Sequence, residues 1–324
     1  MYESSIIALF DQVRVFFAWT DYLKSQVPAG KQVLFINMDE TSIPYAFGEQ
    51  RGNIAKSSRR LGVAAVGKKS ELRGAVTHVT FITHDTTVQP KLPQIIIGNT
   101  RRFTPDLLSV MADRKPNNVV LIRAKSAWNT TLHMMRIIGL LGAALQEFPQ
   151  FQPVLVLDTA SCHTAPRLVR CAGANNIWIS FVPAKLTYLL QPLDTHVFAS
   201  YKLRLRRLYR EAKIDGHGVV SVIKWLELLF DMCTKFLCSG KWRKAFERTG
   251  MLGTRPQNLS SELQATCADV VVTSGAASLP SKEDLQLMMP RGTMVPYVDL
   301  WWKPAGRGRR IVLVWGNARQ RARA

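Results

Sequence analysis

An α/β fold, with a mixed sheet flanked by helices and a mainly helical C-terminal extension, is what this sequence predicts. Three observations lead there. Residues Val33–Asp39 (VLFINMD) and Pro153–Leu157 (PVLVL) are short, almost continuously apolar runs, the pattern of strands covered on both faces. Residues Ala75–Thr83 (AVTHVTFIT) are dense in β-branched side chains, and a His84-Asp85-Thr86 turn separates them from a second such run at Leu92–Ile97, as in an antiparallel pair. Apolar residues at helical spacing occupy the stretches before, between and after these runs.

In chain order, residues 4–27 read as an amphipathic helix, with Ile7, Phe10, Val13, Phe17 and Tyr22 on its apolar side, ended by Pro28-Ala29-Gly30. The first buried strand follows and ends on Asp39-Glu40. Residues 48–74 form a loop-rich basic stretch with Arg51, Lys56, Arg59, Arg60, Lys68, Lys69 and Arg73. Residues 99–127 are mixed and polar, apart from a short VVLI strand. A helix is expected over 128–148, with Ser126 as its N-cap and Trp128, Leu132, Met135, Ile138, Leu141, Leu145 and Phe148 on one face. The strand at 153–157 ends at Asp158. A helix over 164–172, a strand over 177–182 and a helix starting near Asp194 come next. Residues 219–248 are again helical. A Ser/Thr/Ala/Gly-rich linker covers 250–280, and Ser281–Asp284 begins a short capped helix. A basic tail starts at Lys303, expected to be mobile, although Ile311–Trp315 has the composition of a strand. The expected division is an N-terminal helix packing on the main α/β domain (1–30), that α/β domain itself (31–214), a helical extension (215–250), a linker with a short helix (251–302) and the tail (303–324).

Composition narrows the function. The chain has 324 residues, enough for a sizeable core, and its 47% hydrophobic content argues against general disorder. A net charge of +20 attracts polyanions, nucleic acid ahead of anionic membrane. The five cysteines, at 162, 171, 233, 238 and 267, include no CxxC pair, which argues against a zinc knuckle or a disulfide framework. The N-terminal stretch has no secretory pattern, and Asp11, Arg14, Asp21 and Lys24 make it too polar to span a bilayer. A soluble protein in a reducing compartment is expected, with no membrane partner and no small-molecule cofactor.

The strand and helix order matches a ribonuclease H-like fold, in which the first and fourth strands lie side by side at the centre of the sheet. That arrangement brings Asp39, Asp158 and Asp194 to one rim. Each aspartate alone also reads as a turn former or helix cap; joint placement is what favours a site. Three clustered carboxylates repel and raise one another's pKa, unless cations lie between them. Carboxylate oxygens suit Mg²⁺ or Mn²⁺, which keep positions open for phosphate oxygens. Two such ions would support in-line displacement at phosphorus, with attack by water or by a DNA 3′-hydroxyl. The helix after Asp194 has an apolar face of Val197, Tyr201, Leu205, Leu208 and Ala212. Beside it lies a basic face of Lys202, Arg206, Arg210 and Lys213, with Arg204 and Arg207 nearby. A basic face leading from an acidic site is a track for the DNA backbone; a solvated helix face is the plainer reading.

FINMDETSI around Asp39, VLVLDTASCH around Asp158 and FVPAKLTYLLQPLDTHVFASYK around Asp194 resemble the DDE superfamily transposases of the pogo, Tigger and jerky type, relatives of the mariner group. The resemblance runs from the first helix to about residue 250, roughly three quarters of the chain. It implies that Asp39, Asp158 and Asp194 are a metal-binding catalytic triad. It also implies that Glu40 supports the site from behind, that His163 lies near it or helps to position phosphate, and that Gln191 shapes the turn into Asp194 or touches substrate; for His163 a satisfied, half-buried histidine is the plainer reading. DNA is the implied partner, bound by a homodimer at DNA ends, and the nucleus the implied location. Members usually carry helix-turn-helix domains ahead of the catalytic domain, whereas the residues before Asp39 read as a single helix. The leading expectation is a metal-dependent DNA transposase or endonuclease. The alternative is a transposase-derived DNA-binding protein without catalysis. A non-catalytic RNA-binding protein is a third reading, and no RNP-type aromatic motif supports it.

Overall fold

The computed structural model describes residues 13, 16, 17, 19–47 and 74–253, and the backbone of 301–304 and 311–314. The basic stretch 48–73, the linker, the short helix at 281–284 and most of the basic tail lie outside the described residues.

Six strands form one mixed sheet: β1 (Gln32–Pro44), β2 (Gly74–Thr83), β3 (Gln94–Asn99), β4 (Val119–Ala124), β5 (Phe151–Leu157) and β6 (Trp178–Phe181), in the spatial order β4-β3-β2-β1-β5-β6. β1, β2 and β3 make an antiparallel meander. β5 lies parallel to β1, β6 parallel to β5, and β4 parallel to β3 at the edge. Five of these strands reproduce the ribonuclease H-like order. The VVLI segment adds a sixth, so the strand beside β1 is the fifth in sequence rather than the fourth. Trp301–Pro304 (β7) and Ile311–Val314 (β8) pair antiparallel in a separate two-stranded sheet.

Strand periodicity sorts the core into two layers. Leu34, Ile36 and Met38 of β1 face one side with Val79, Phe81, Ile95, Ile97, Leu155 and Leu157. Helices α3 (Thr131–Leu145) and α4 (Pro166–Ala174) cover that side, through Met134, Ile137, Ile138, Leu141, Leu168 and Ala172. Phe35 and Ile43 face the other side with Val76, Ile82, Ile96, Val154 and Val156. There the first helix, α1, described at residues 13, 16, 17 and 19–25, contributes Val13, Phe16, Phe17, Trp19 and Leu23. The short α5 (Thr187–Leu190) and helices α6 (Phe198–Asp215) and α7 (Val222–Asp231) pack on the same layer through Leu189, Leu190, Tyr201, Leu205, Trp225, Leu226 and Leu229. The helices after residue 215 therefore share the sheet's own core.

The structure revises several local expectations. β1 does not stop at Asp39 but runs on to Pro44, because β2 keeps pairing with it from Glu40↔Val79 to Pro44↔Gly74. α3 starts at Thr131, capped by Thr130, whose side chain accepts a hydrogen bond from His133 N; Ser126 is not its cap. This start leaves Trp128 78% exposed and Leu132 67% exposed, so neither belongs to the buried face, which Met134 and Ile137 join instead. The stretch 99–127 contains a helix, α2 (Pro105–Ala112), marked by Thr104 as N-cap and Pro105 at its first position. The 219–248 stretch divides into α7, a π-helical run over Met232–Cys238, and α8 (Arg243–Arg248). In α6, Tyr209 is buried and Leu208 only partly so.

Candidate active site

Asn37 organises the site. It is fully buried in the middle of β1. Its Nδ2 donates to Val156 O of β5 at 3.1 Å, and its Oδ1 accepts from Leu193 N at 2.8 Å. One amide thus ties together three segments that are remote in sequence. Each carries an aspartate one or two residues further on: Asp39 after Asn37, Asp158 after Val156, Asp194 after Leu193. Because Asn37 and Val156 are in register across parallel strands, Asp39 and Asp158 lie level at the same rim. Asp39 sits where β5 has ended and β2 still continues. Asp194 enters in a π-helical turn, Leu193–Val197, that runs directly into α6, so the helix begins around it. Gln191, fully buried, secures the approach from Nε2 to Met38 O at 3.5 Å, and its Oε1 has no partner among the described residues.

The electrostatics record this convergence. The Asp39 carboxyl is pushed up to about 8 by its burial, then by the negative charges of Asp194 and Glu40, and to a lesser extent by Asp158; the backbone N–H of Glu40, donating at 2.8 Å, opposes these. Asp194 itself is exposed. A buried carboxyl that neighbouring acids disfavour as an anion, with oxygen donors around it, suits a hard divalent cation as counter-charge. The three aspartates do not lie within 4.8 Å of one another as a ligand group in this structure, so a cation held by Asp39, Asp158 and Asp194 would have to draw them together.

Asp158 and Glu40 are joined by His163. The ring is fully buried, with Nδ1 2.5 Å from Asp158 Oδ1 and Nε2 2.9 Å from Glu40 Oε1. Burial alone would lower its pKa, but the hydrogen bonds to Asp158, Cys162 and Glu40 outweigh it and hold the imidazole well above its ordinary value. Burial would likewise raise Asp158, yet the hydrogen bond and charge of His163 and the Ala160 N–H at 3.0 Å keep it below the usual value. The proton between them rests on the histidine. Glu40 points to the opposite face of β1 from Asp39, as strand alternation requires. There it also accepts from Asn129 Nδ2 at 2.6 Å.

The structure thus joins Asp158, His163 and Glu40 by hydrogen bonds, sets Asp39 within reach of the charges of Asp194, Glu40 and Asp158, and ties Gln191 to Met38 O; two unpredicted residues, Asn37 and Asn129, join them. Asn37 escaped notice because a lone polar residue in an apolar strand has no motif; its position two residues before Asp39 was the available signal. Asn129 was hidden by a helix start placed too early. On α6, Arg206 and Arg210 are exposed and Lys202 and Lys213 half-buried, with Lys202 Nζ 5.6 Å from the Phe198 ring centre. Arg207 pairs with Glu211 at 2.9 Å.

Residues 77–235, just under half of the chain, are similar to the family described as DDE superfamily endonuclease. The matched segment contains Asp158, His163, Gln191 and Asp194. Asp39 and Glu40 precede it and reach the site through the pairing of β1. A solved structure, the Mos1 transposase paired-end complex with left transposon end, is similar at 14% identity and a TM-score of 0.33 over 67% of this chain and 55% of that one. The chain thus spans little more than half the length of that relative. No curated protein matches it.

Proposed function

We propose that this protein is a DDE-type transposase or endonuclease of the pogo, Tigger and jerky kind, which cuts and joins DNA phosphodiester bonds using divalent cations held by Asp39, Asp158 and Asp194. The observation that carries the proposal is the Asn37 amide, which fastens the three aspartate-bearing segments to one another at 3.1 and 2.8 Å. Mg²⁺ or Mn²⁺, two ions in all, would supply neutralisation of the phosphate and activation of the attacking oxygen. The chain's own residues do the rest. His163 holds Asp158 in one orientation and stabilises its charge, and Glu40 anchors His163 from behind. Gln191 and Asn37 fix the turn that delivers Asp194. Lys202, Arg206, Arg210 and Lys213 line the approach of the DNA backbone. A homodimer on DNA ends, working in the nucleus, completes the reading.

One observation favours the second reading, a transposase-derived DNA-binding protein without catalysis. Asp158 Oδ1 already accepts from both His163 and Ala160, which leaves this carboxylate less of its coordinating capacity. Supercoiled plasmid incubated with the purified chain and Mg²⁺ or Mn²⁺, beside Asp158→Asn, separates the two. Nicking by the wild type and a loss of roughly a hundredfold or more in the variant is expected. Equal nicking, or none from either, overturns the catalytic reading, and DNA binding without nicking establishes the second.

A further inference from the structure

We infer that Glu40, Cys162 and His163 form a second cation site, selective for a soft divalent ion of the zinc type and distinct from the three aspartates. A carboxylate oxygen of Glu40, the thiol sulfur of Cys162 and a ring nitrogen of His163 all lie within 4.8 Å of one another. Thiolate, imidazole and carboxylate are a ligand set for zinc or cobalt and a poor one for magnesium, which avoids sulfur.

The geometry around the histidine is a second, independent observation. Ligating histidines commonly donate their other ring N–H to a carboxylate, which fixes tautomer and orientation. His163 does this: Nδ1 is held by Asp158 at 2.5 Å, while Nε2 is directed at Glu40 at 2.9 Å. The ring is therefore already set to present Nε2 to a cation beside Glu40. Next to Glu40, the side-chain oxygen of Asn129 is buried and has no hydrogen-bond partner among the described residues, although its Nδ2 touches Glu40 at 2.6 Å. Cys162 and Glu40 are half-buried, which leaves a path from solvent.

With metal–ligand lengths of about 2.0–2.3 Å, tetrahedral ligands stand roughly 3.3–3.8 Å apart, so His163 Nε2 and Glu40 Oε1, now hydrogen-bonded at 2.9 Å, must part slightly, and the sulfur, within 4.8 Å of both, must approach by about 1 Å at most. Binding exchanges two protons, one from Nε2 and one from the Cys162 thiol, for one dication; both protons leave to solvent. Three protein ligands leave a fourth position for water or another donor. Asp158 stays hydrogen-bonded to Nδ1 throughout, so occupancy at the soft site is transmitted to one of the three aspartates. The inference does not depend on DNA cleavage and is tested without it.

The test is a Co²⁺ titration of the full chain with a non-chelating reductant, followed by absorbance. One equivalent should give a thiolate-to-cobalt charge-transfer band in the near ultraviolet and the intense visible bands of four-coordinate cobalt. Cys162→Ser should lose the charge-transfer band and bind roughly tenfold or more weakly, with its far-ultraviolet circular dichroism unchanged. Asp194→Asn, outside the cluster, should retain both. Zn²⁺ should displace the cobalt, and millimolar Mg²⁺ should not. Absence of the band in the wild type, its survival in Cys162→Ser, or its removal by Mg²⁺ would each overturn the proposal. The second outcome would place the ion on another cysteine, and the third would place it on the aspartates.

Discussion

Asp39→Asn should stabilise the protein while disabling it. The folded chain holds a proton on Asp39 up to about pH 8, against an ordinary value of 3.8, because the carboxyl is buried and faces Asp194, Glu40 and Asp158. The unfolded chain releases that proton near its ordinary value. Between the two the folded state binds more protons, so stability falls as pH rises through this window, by at most about 1.4 kcal/mol per pH unit. By pH 7 the ceiling is roughly 4 kcal/mol. Asp39 keeps some contact with solvent, and screening at an effective dielectric constant of about 20 reduces the expected penalty to about 1–3 kcal/mol. Asparagine keeps the shape and removes the charge. In a chelator at pH 7.5, Asp39→Asn should melt about 3–8 °C above the wild type, and the gap should close towards pH 4. Millimolar Mg²⁺ should raise the wild-type Tm and leave the variant's unchanged, since the ion replaces the missing counter-charge only where the charge exists. Thermal unfolding by circular dichroism across pH, with and without Mg²⁺, measures both. If Asp39→Asn melts at or below the wild type in chelator at pH 7.5, the three acids do not crowd one another as described.

Three further outcomes follow from particular contacts. Asn37→Ala removes the acceptor for Leu193 N and the donor to Val156 O; it should cost about 2–4 kcal/mol in urea unfolding and abolish the Mg²⁺-induced Tm rise, and an unchanged urea midpoint would refute the clamp. Replacing both Arg206 and Arg210 by alanine should lessen the slope of log affinity for DNA against log salt by about 2; an unaltered slope means that α6 does not follow phosphates. A Cβ added at Gly98 would fall 2.5 Å from the ring of buried Phe103. Gly98→Ala should therefore lower stability by about 1–3 kcal/mol through overpacking, seen as a lower urea midpoint.

The sheet was legible because its strands advertise themselves. VLFINMD and PVLVL are apolar on both faces and lie at the centre, and AVTHVTFIT pairs as its β-branched composition implies. The interiors of these elements came through better than their ends. The limit of β1 depends on how far β2 follows it, and the start of α3 depends on which of several hydroxyl residues caps it; both are decided by partners remote in sequence. Helix α2 was missed although Thr104 and Pro105 mark its start, because its eight residues bury only Met111 and show little apolar periodicity.

For the site, the sequence by itself determined the inventory: three aspartates, two of them at element ends, a histidine five residues after one of them, and a basic helix leading away from another. Those are local properties, fixed by hydropathy and by the order of the motifs. Only the tertiary structure decided the wiring. It placed Glu40 on the face opposite Asp39, passed His163 between Asp158 and Glu40, brought Cys162 and Asn129 to the same corner, and buried one amide, Asn37, to join β1, β5 and the turn before α6. Hydrogen bonds spanning 119 and 156 residues leave no local periodicity behind. They exist because a buried polar side chain must find partners wherever packing offers them.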